Sequence, residues 1–212
     1  INNNNKHENS HTYYQLHWYA PFLSGGGYSS EAMSYLLSII HYTNISLLIS
    51  QHGDSFNEQY LEGLPSREKR YLNQYFVIDA TSPRITVCHS EPGAWHAPTP
   101  HYHTTPCPPP TSLYTIGRTM FETDSLPADW SSRLMLLDEI WVPTEFSRNV
   151  FSRAGVSATK LRVVREGVDT EFFRPTDEVE EMKRERNNII EYSETKEIEE
   201  KERKKERERE KE

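Results

Sequence analysis

Cysteine is scarce in this chain. Two of 212 residues, Cys88 and Cys107, are too few for a disulfide scaffold and fit a reducing compartment, so a cytoplasmic location is expected. Long apolar runs are missing as well: stretches such as Leu36 to Ile40 fall far short of the roughly 20 residues a membrane-spanning helix needs, and no transmembrane segment is expected. Excess positive charge is also absent. The net charge is −8, and Asp177 to Glu212 holds 15 acidic and 11 basic residues, so the tail and the rest carry −4 each. Neither part suits a phosphate backbone, which argues against nucleic acid as a partner. Neither a G-x-G-x-x-G spacing nor a P-loop lysine is present, so NAD or ATP binding has no support.

Apolar residues are lacking at both ends. Residues 1–12, INNNNKHENSHT, carry too little apolar area to offset ordering entropy and read as disordered. Beyond Ile198 the tail has no apolar residue. Without an a/d seam it reads as a solvated helix or a disordered stretch over 176–212.

Between the ends, apolar runs alternate in period. YYQLHWYAP reads as a buried first strand, followed by the break SGGGYSS. EAMSYLLSIIHY then has helical spacing at Met33, Leu36, Leu37 and Ile40. ISLLIS is a second strand, SREKRYLNQYF a helix after a polar loop, and RITVCHS a strand. EPGAWHAPTPHYHTTPCPPPTS interrupts the rhythm, its seven prolines excluding helix and central strand. The alternation returns with LYTIGRTMF, DWSSRLMLLDE, EIWVP, TEFSRNVFSRA and LRVV. Thr144 is placed to cap the last helix and Gly155 to end it in a left-handed conformation. Strands alternating with helices at this spacing predict an α/β fold, a Rossmann-like parallel sheet flanked by helices.

The ordered pieces FETDSLP, EIWVPT, AGV, LRVV and EGVDTEFFRP resemble the end of the N-terminal domain of retaining GT-B glycosyltransferases. The resemblance covers Tyr13 to Pro175, and Glu166 to Pro175 is similar to the hinge that leads into that family's second domain. It implies a domain over 13–175 that forms the acceptor-side half of a glycosyltransferase. The partners implied are a nucleotide-sugar donor and a sugar or glycan acceptor, with no further cofactor. Charged residues follow the hinge where a second nucleotide-binding domain would stand, so the chain is expected to be inactive alone. Arg165 stands where many relatives have proline. The competing reading is a non-catalytic carbohydrate- or protein-binding module.

Three groups could carry chemistry. Gly25, Gly26 and Gly27 allow close backbone approach at a helix N-terminus, for a ligand or simply for a tight turn. Arg118, Glu122 and Asp124 stand at or after the end of the strand TIGRTMF, where ligands of open α/β sheets bind. Glu122 best matches the family's polar residue facing the sugar; Asp124 could equally cap a turn, and Arg118 could pair with Glu122 across one strand face. His89, with Glu91, is placed for polar contact in a cleft, and His89 and Glu122 are the catalytic candidates. Trp95 could stack on a sugar or pack on the surface. The third group, Cys88, His89, His96, His101, His103 and Cys107, fits no standard zinc spacing, and no metal is expected. Finally, Asn44-Ile45-Ser46 is an N-x-S sequon, but its place just ahead of a buried strand argues against glycosylation.

Overall fold

The computed structural model describes residues 15–78, 84–96, 100, 103–168, 170, 173–187 and 196. Among the described residues up to Gly167, six strands and five α-helices follow in the order β1 (Leu16–Ala20), α1 (Gly27–Tyr42), β2 (Leu47–Gln51), α2 (Glu58–Gly63), α3 (Ser66–Tyr75), β3 (Arg84–His89), β4 (Ser112–Arg118), α4 (Trp130–Met135), β5 (Glu139–Val142), α5 (Glu145–Arg153) and β6 (Leu161–Val163). All six strands are parallel, in the order β2-β1-β3-β4-β5-β6. The α/β Rossmann-like sheet expected from the alternation is therefore present.

Period-two alternation sends neighbouring residues into two cores. Trp18, Val87 and Ile116 join Ala32, Met33 and Leu36 of α1 and Leu72 of α3 on one face. Tyr19 and Cys88 join Trp130, Leu134, Val150 and Phe151 of α4 and α5 on the other. Trp95 is buried in this second core and donates its indole N–H to Ser90 Oγ at 2.9 Å. Its ring fits because Gly117 in β4 has no side chain; a Cβ there would overlap Trp95 and come within 2.7 Å of Leu137 Cδ1. The caps follow the local sequence. Thr144 Oγ1 accepts from Ser147 N at 3.1 Å, and Gly155 has φ +94°.

The structure departs from the sequence reading in four places. The expected polar loop after β2 contains α2, started by Asn57, whose side chain accepts from Tyr60 N at 3.0 Å. The proline-rich segment contains a 3-10 turn at Pro92–Ala94, tolerated because Pro92 sits in the first turn, where no backbone donor is needed. The sequon lies in an exposed connection, residues 43–46, so its nearness to a strand does not bury it.

The fourth departure concerns the two cysteines, which are paired. Cys88 and Cys107 form a disulfide across a sequence separation of 19, with Cα atoms 5.7 Å apart. It ties the far end of the proline-rich loop to β3, and closing a loop of this length restricts the unfolded chain by about 3 kcal/mol. Two cysteines, too few for a disulfide scaffold, thus still make a single bridge.

The chain divides between Gly167 and Val168, inside the stretch read as a hinge. In the second unit, residues 177–187 are helical. No described helix is long and apolar enough to cross a membrane.

Candidate functional site

In a parallel sheet all strand carboxyl ends open on one edge, and the crevice forms where successive connections leave for opposite faces. Here that point lies between β1 and β3, because α1 packs on one face while the chain after β3 packs on the other. The glycine loop leaves β1 at this edge. Gly25 has φ +80° and lies over the Tyr60 ring, Gly26 is the N-cap of α1, and Gly27 has open space where a Cβ would stand. All three are exposed.

Tyr28, in the first turn of α1, ties this loop to the end of β4. Its hydroxyl donates to Met120 O at 3.0 Å, lies 3.2 Å from Thr119 Oγ1, and accepts from Met120 N at 3.3 Å. Burial pushes the phenol up to about 12. Its hydrogen bonds oppose that shift, and the nearby carboxylates of Glu91 and Glu122 add to it. The edge thus brings together the glycine loop, Tyr28, Glu91 and exposed Glu122. Asp124 is exposed in the same loop as Glu122. Near the glycines, Asp54 and Glu58 line a depression with Ser24, Gly26, Ser55, Phe56 and Asn57.

Beneath this surface lies a buried polar cluster that sequence reasoning did not find. Glu31, one turn into α1, accepts from His89 Nε2 at 2.8 Å through Oε2, and from Arg118 Nε at 2.8 Å and Nη2 through Oε1. Arg118 also donates from Nη1 to Val164 O at 2.7 Å, its guanidinium lies over the Tyr35 ring at 5.7 Å, and Tyr35 donates its hydroxyl to Arg165 O at 3.1 Å. One face of α1 is therefore fastened to the ends of β3 and β4 and to the segment leaving β6. Burial would raise the Glu31 carboxyl, but the His89 hydrogen bond and the Arg118 charge more than offset it and hold it below the ordinary carboxylate range. Burial lowers the His89 imidazole below 6.5 despite the upward pull of Glu31. The pair His89–Glu31 is thus a neutral imidazole donating to a carboxylate, and the charge on Glu31 is balanced by Arg118.

These contacts correct several sequence expectations. Arg118 pairs with Glu31, not with Glu122, because it is fully buried where β4 ends while Glu122 lies in the exposed loop beyond. His89 is fully buried and both its ring nitrogens are engaged, so it does not face the cleft. Trp95 is packed in the core of the opposite sheet face and presents no ring to a ligand. The sulfurs considered as zinc ligands are bonded to each other; His96 and His103 are exposed, and His101 lies outside the described residues.

A second polar chain crosses the sheet on its other face. Arg84 Nη1 donates to His17 Nδ1 at 2.9 Å, His17 Nε2 meets Ser50 Oγ at 2.8 Å, and Ser50 donates to Val77 O at 2.6 Å. Nearby, His52 Nδ1 donates to Thr105 O at 2.6 Å, and Ser90 Oγ lies 3.0 Å from His52 Nε2. Thr104 Oγ1 accepts from Gly53 N at 2.7 Å. The disulfide-tethered loop thereby closes over the ends of β2 and β3.

Comparison of the chain with protein-family models, curated proteins and solved structures finds no match.

Proposed function

We propose that this domain presents the acceptor side of a glycosyltransferase that uses a nucleotide-sugar donor. The observation that supports it is the polar carboxyl edge at the β1/β3 crevice, where the glycine loop, Tyr28, Glu91 and Glu122 gather. The resemblance of residues 115–175 to the GT-B N-terminal domain agrees with that placement. The carboxylates are suited to accept hydrogen bonds from sugar hydroxyls, and Glu122 is the residue exposed enough to face a reacting sugar. Asp54 Oδ2 lies 3.5 Å from the position a Gly26 Cβ would take. An acid beside the α1 N-terminus repels a phosphate, so this loop serves a hydroxyl-rich acceptor better than the donor's phosphates.

A second reading, a carbohydrate-binding module without catalysis, draws on the engagement of His89. With that imidazole neutral and bonded on both sides, the cleft has no histidine base at β3. Titration of the isotope-labelled chain with neutral oligosaccharides, followed by amide NMR, tests both readings. Saturable shifts confined to Tyr28, Glu91 and Glu122 support a sugar site, and transfer from a nucleotide sugar once a donor domain is joined separates enzyme from module. Shifts elsewhere, or none with any saccharide, overturn both.

A further inference from the structure

We infer that Asn44 is an N-glycosylation site, and that this domain folds in a compartment where a lipid-linked oligosaccharide donor is present. The sequence carries a single N-x-S/T sequon, Asn44-Ile45-Ser46. Two independent observations point to its use.

The first is geometry. Residues 43–46 connect α1 to β2 outside any helix or strand and are exposed. Among the described residues no hydrogen bond engages the Asn44 side chain. Thr43 is extended, with φ −136° and ψ 163°. Tyr42 is 87% exposed and Ile45 51%. Asn44 thus stands among exposed aromatic and apolar surface that a glycan would help shield from solvent. The connection lies at the amino edge of the sheet, because α1 starts at the carboxyl edge and ends where β2 begins, so a glycan there leaves the crevice open.

The second observation is the Cys88–Cys107 disulfide. It requires an oxidising compartment, and the secretory lumen that oxidises thiols is also where oligosaccharide is transferred to asparagine. In that step Asn44 Nδ2 attacks the anomeric carbon of the lipid-linked oligosaccharide. The N–C bond forms, the C–O bond to the lipid pyrophosphate breaks, the pyrophosphate leaves with that electron pair, and one amide proton passes to the transferase base.

The test is peptide mapping of the protein from its natural source, with and without an amidase that releases N-glycans in heavy-oxygen water. The expected result is an Asn44 peptide that carries oligosaccharide and that the amidase converts to an isotope-labelled aspartyl peptide, with Cys88 and Cys107 recovered as a disulfide. Full-length chain secreted behind an added signal sequence supplies the second measurement: N44Q and S46A lose the glycan mass, while S46T keeps it. Unmodified Asn44 in the natural protein overturns the inference, whether the cysteines are oxidised or free. So does secreted wild-type chain that carries no glycan.

Discussion

Trp18 donates its indole N–H to Nδ1 of His89 at 3.1 Å. That bond sets the tautomer: Nδ1 accepts, so the ring proton sits on Nε2 and is given to Glu31. Protonating His89 would place two N–H groups against each other, which adds to the effect of burial. The imidazole is expected to stay mostly neutral at pH 6.5, where an exposed histidine is half charged. In W18F the opposing donor is removed and the His89 pKa should rise. Nitrogen chemical shifts of the ring across a pH titration check both statements; an imidazolium at neutral pH in the wild type would contradict them.

Acid should destabilise the fold through His17 and His52. Burial first, and then the Arg84 charge, lowers His17 to about 4, and burial lowers His52 to about 4. The unfolded chain binds protons at these sites from about pH 6.5 downward, whereas the folded chain does not until about pH 4. Stability from these groups is therefore complete above pH 6.5, falls as pH drops toward 4, and is flat below. Each contributes on the order of 3 kcal/mol. Urea midpoints at pH 7 and pH 4.5 measure the loss. In H52N, whose amide can still donate to Thr105 O, the slope over this window should shrink, the remainder coming from His17, His89 and Glu31.

Reducing the Cys88–Cys107 bond should cost about 3 kcal/mol, which for a domain of this size lowers the melting temperature by roughly 6–12 °C. Calorimetry of wild type with and without reductant, beside C88S/C107S, gives the value. Equal melting temperatures would mean that the loop packs as well without its tether.

Strands and helices were legible because each carries its own period: Val87 and Cys88 go to opposite cores as alternation demands. The α2 start is also written locally, in Asn57 before Glu58, but no apolar spacing follows to announce a helix. Glu31 was not legible. Its partners His89 and Arg118 lie 58 and 87 residues away, and a glutamate near the start of a helix reads as a solvated residue until the fold brings a guanidinium to it. The same distance hid the fit of Trp95 over Gly117 and the pairing of two cysteines with no motif around them. Because parallel strands share one carboxyl edge, topology leads to the expectation that Glu122, His89 and the glycines converge there; His89 instead lies buried beneath that edge, bonded to Glu31.

The glycine loop offers a test in which folding and ligand approach separate. Gly25 has φ +80°, and a Cβ there would come within 2.7 Å of Tyr60 Cγ, so Gly25→Ala is strained and overlapped and should cost roughly 2–4 kcal/mol. Gly26 has φ −80°, and its added Cβ would make ordinary contacts, 3.5 Å to Asp54 Oδ2 and 3.8 Å to Ser24 Oγ. Gly26→Val should therefore fold, losing about 1 kcal/mol of helix capping, while its side chain stands over the start of α1. Glu122→Ala removes an exposed carboxylate and should change stability by less than about 0.5 kcal/mol. If the edge receives a hydroxyl-rich acceptor, Glu122→Ala should weaken binding about tenfold, the scale of one hydrogen bond to a charged group, and Gly26→Val should weaken it by obstructing approach. With a donor domain joined, Glu122→Ala should also lower kcat, because a group facing the reacting sugar acts in the transition state. Unchanged affinity and turnover in both variants, with denaturation midpoints near wild type, would remove the carboxyl edge as the site. The groove lined by Leu23, Leu61, Phe76 and exposed Ile78 beside α3 would then be the next surface to probe.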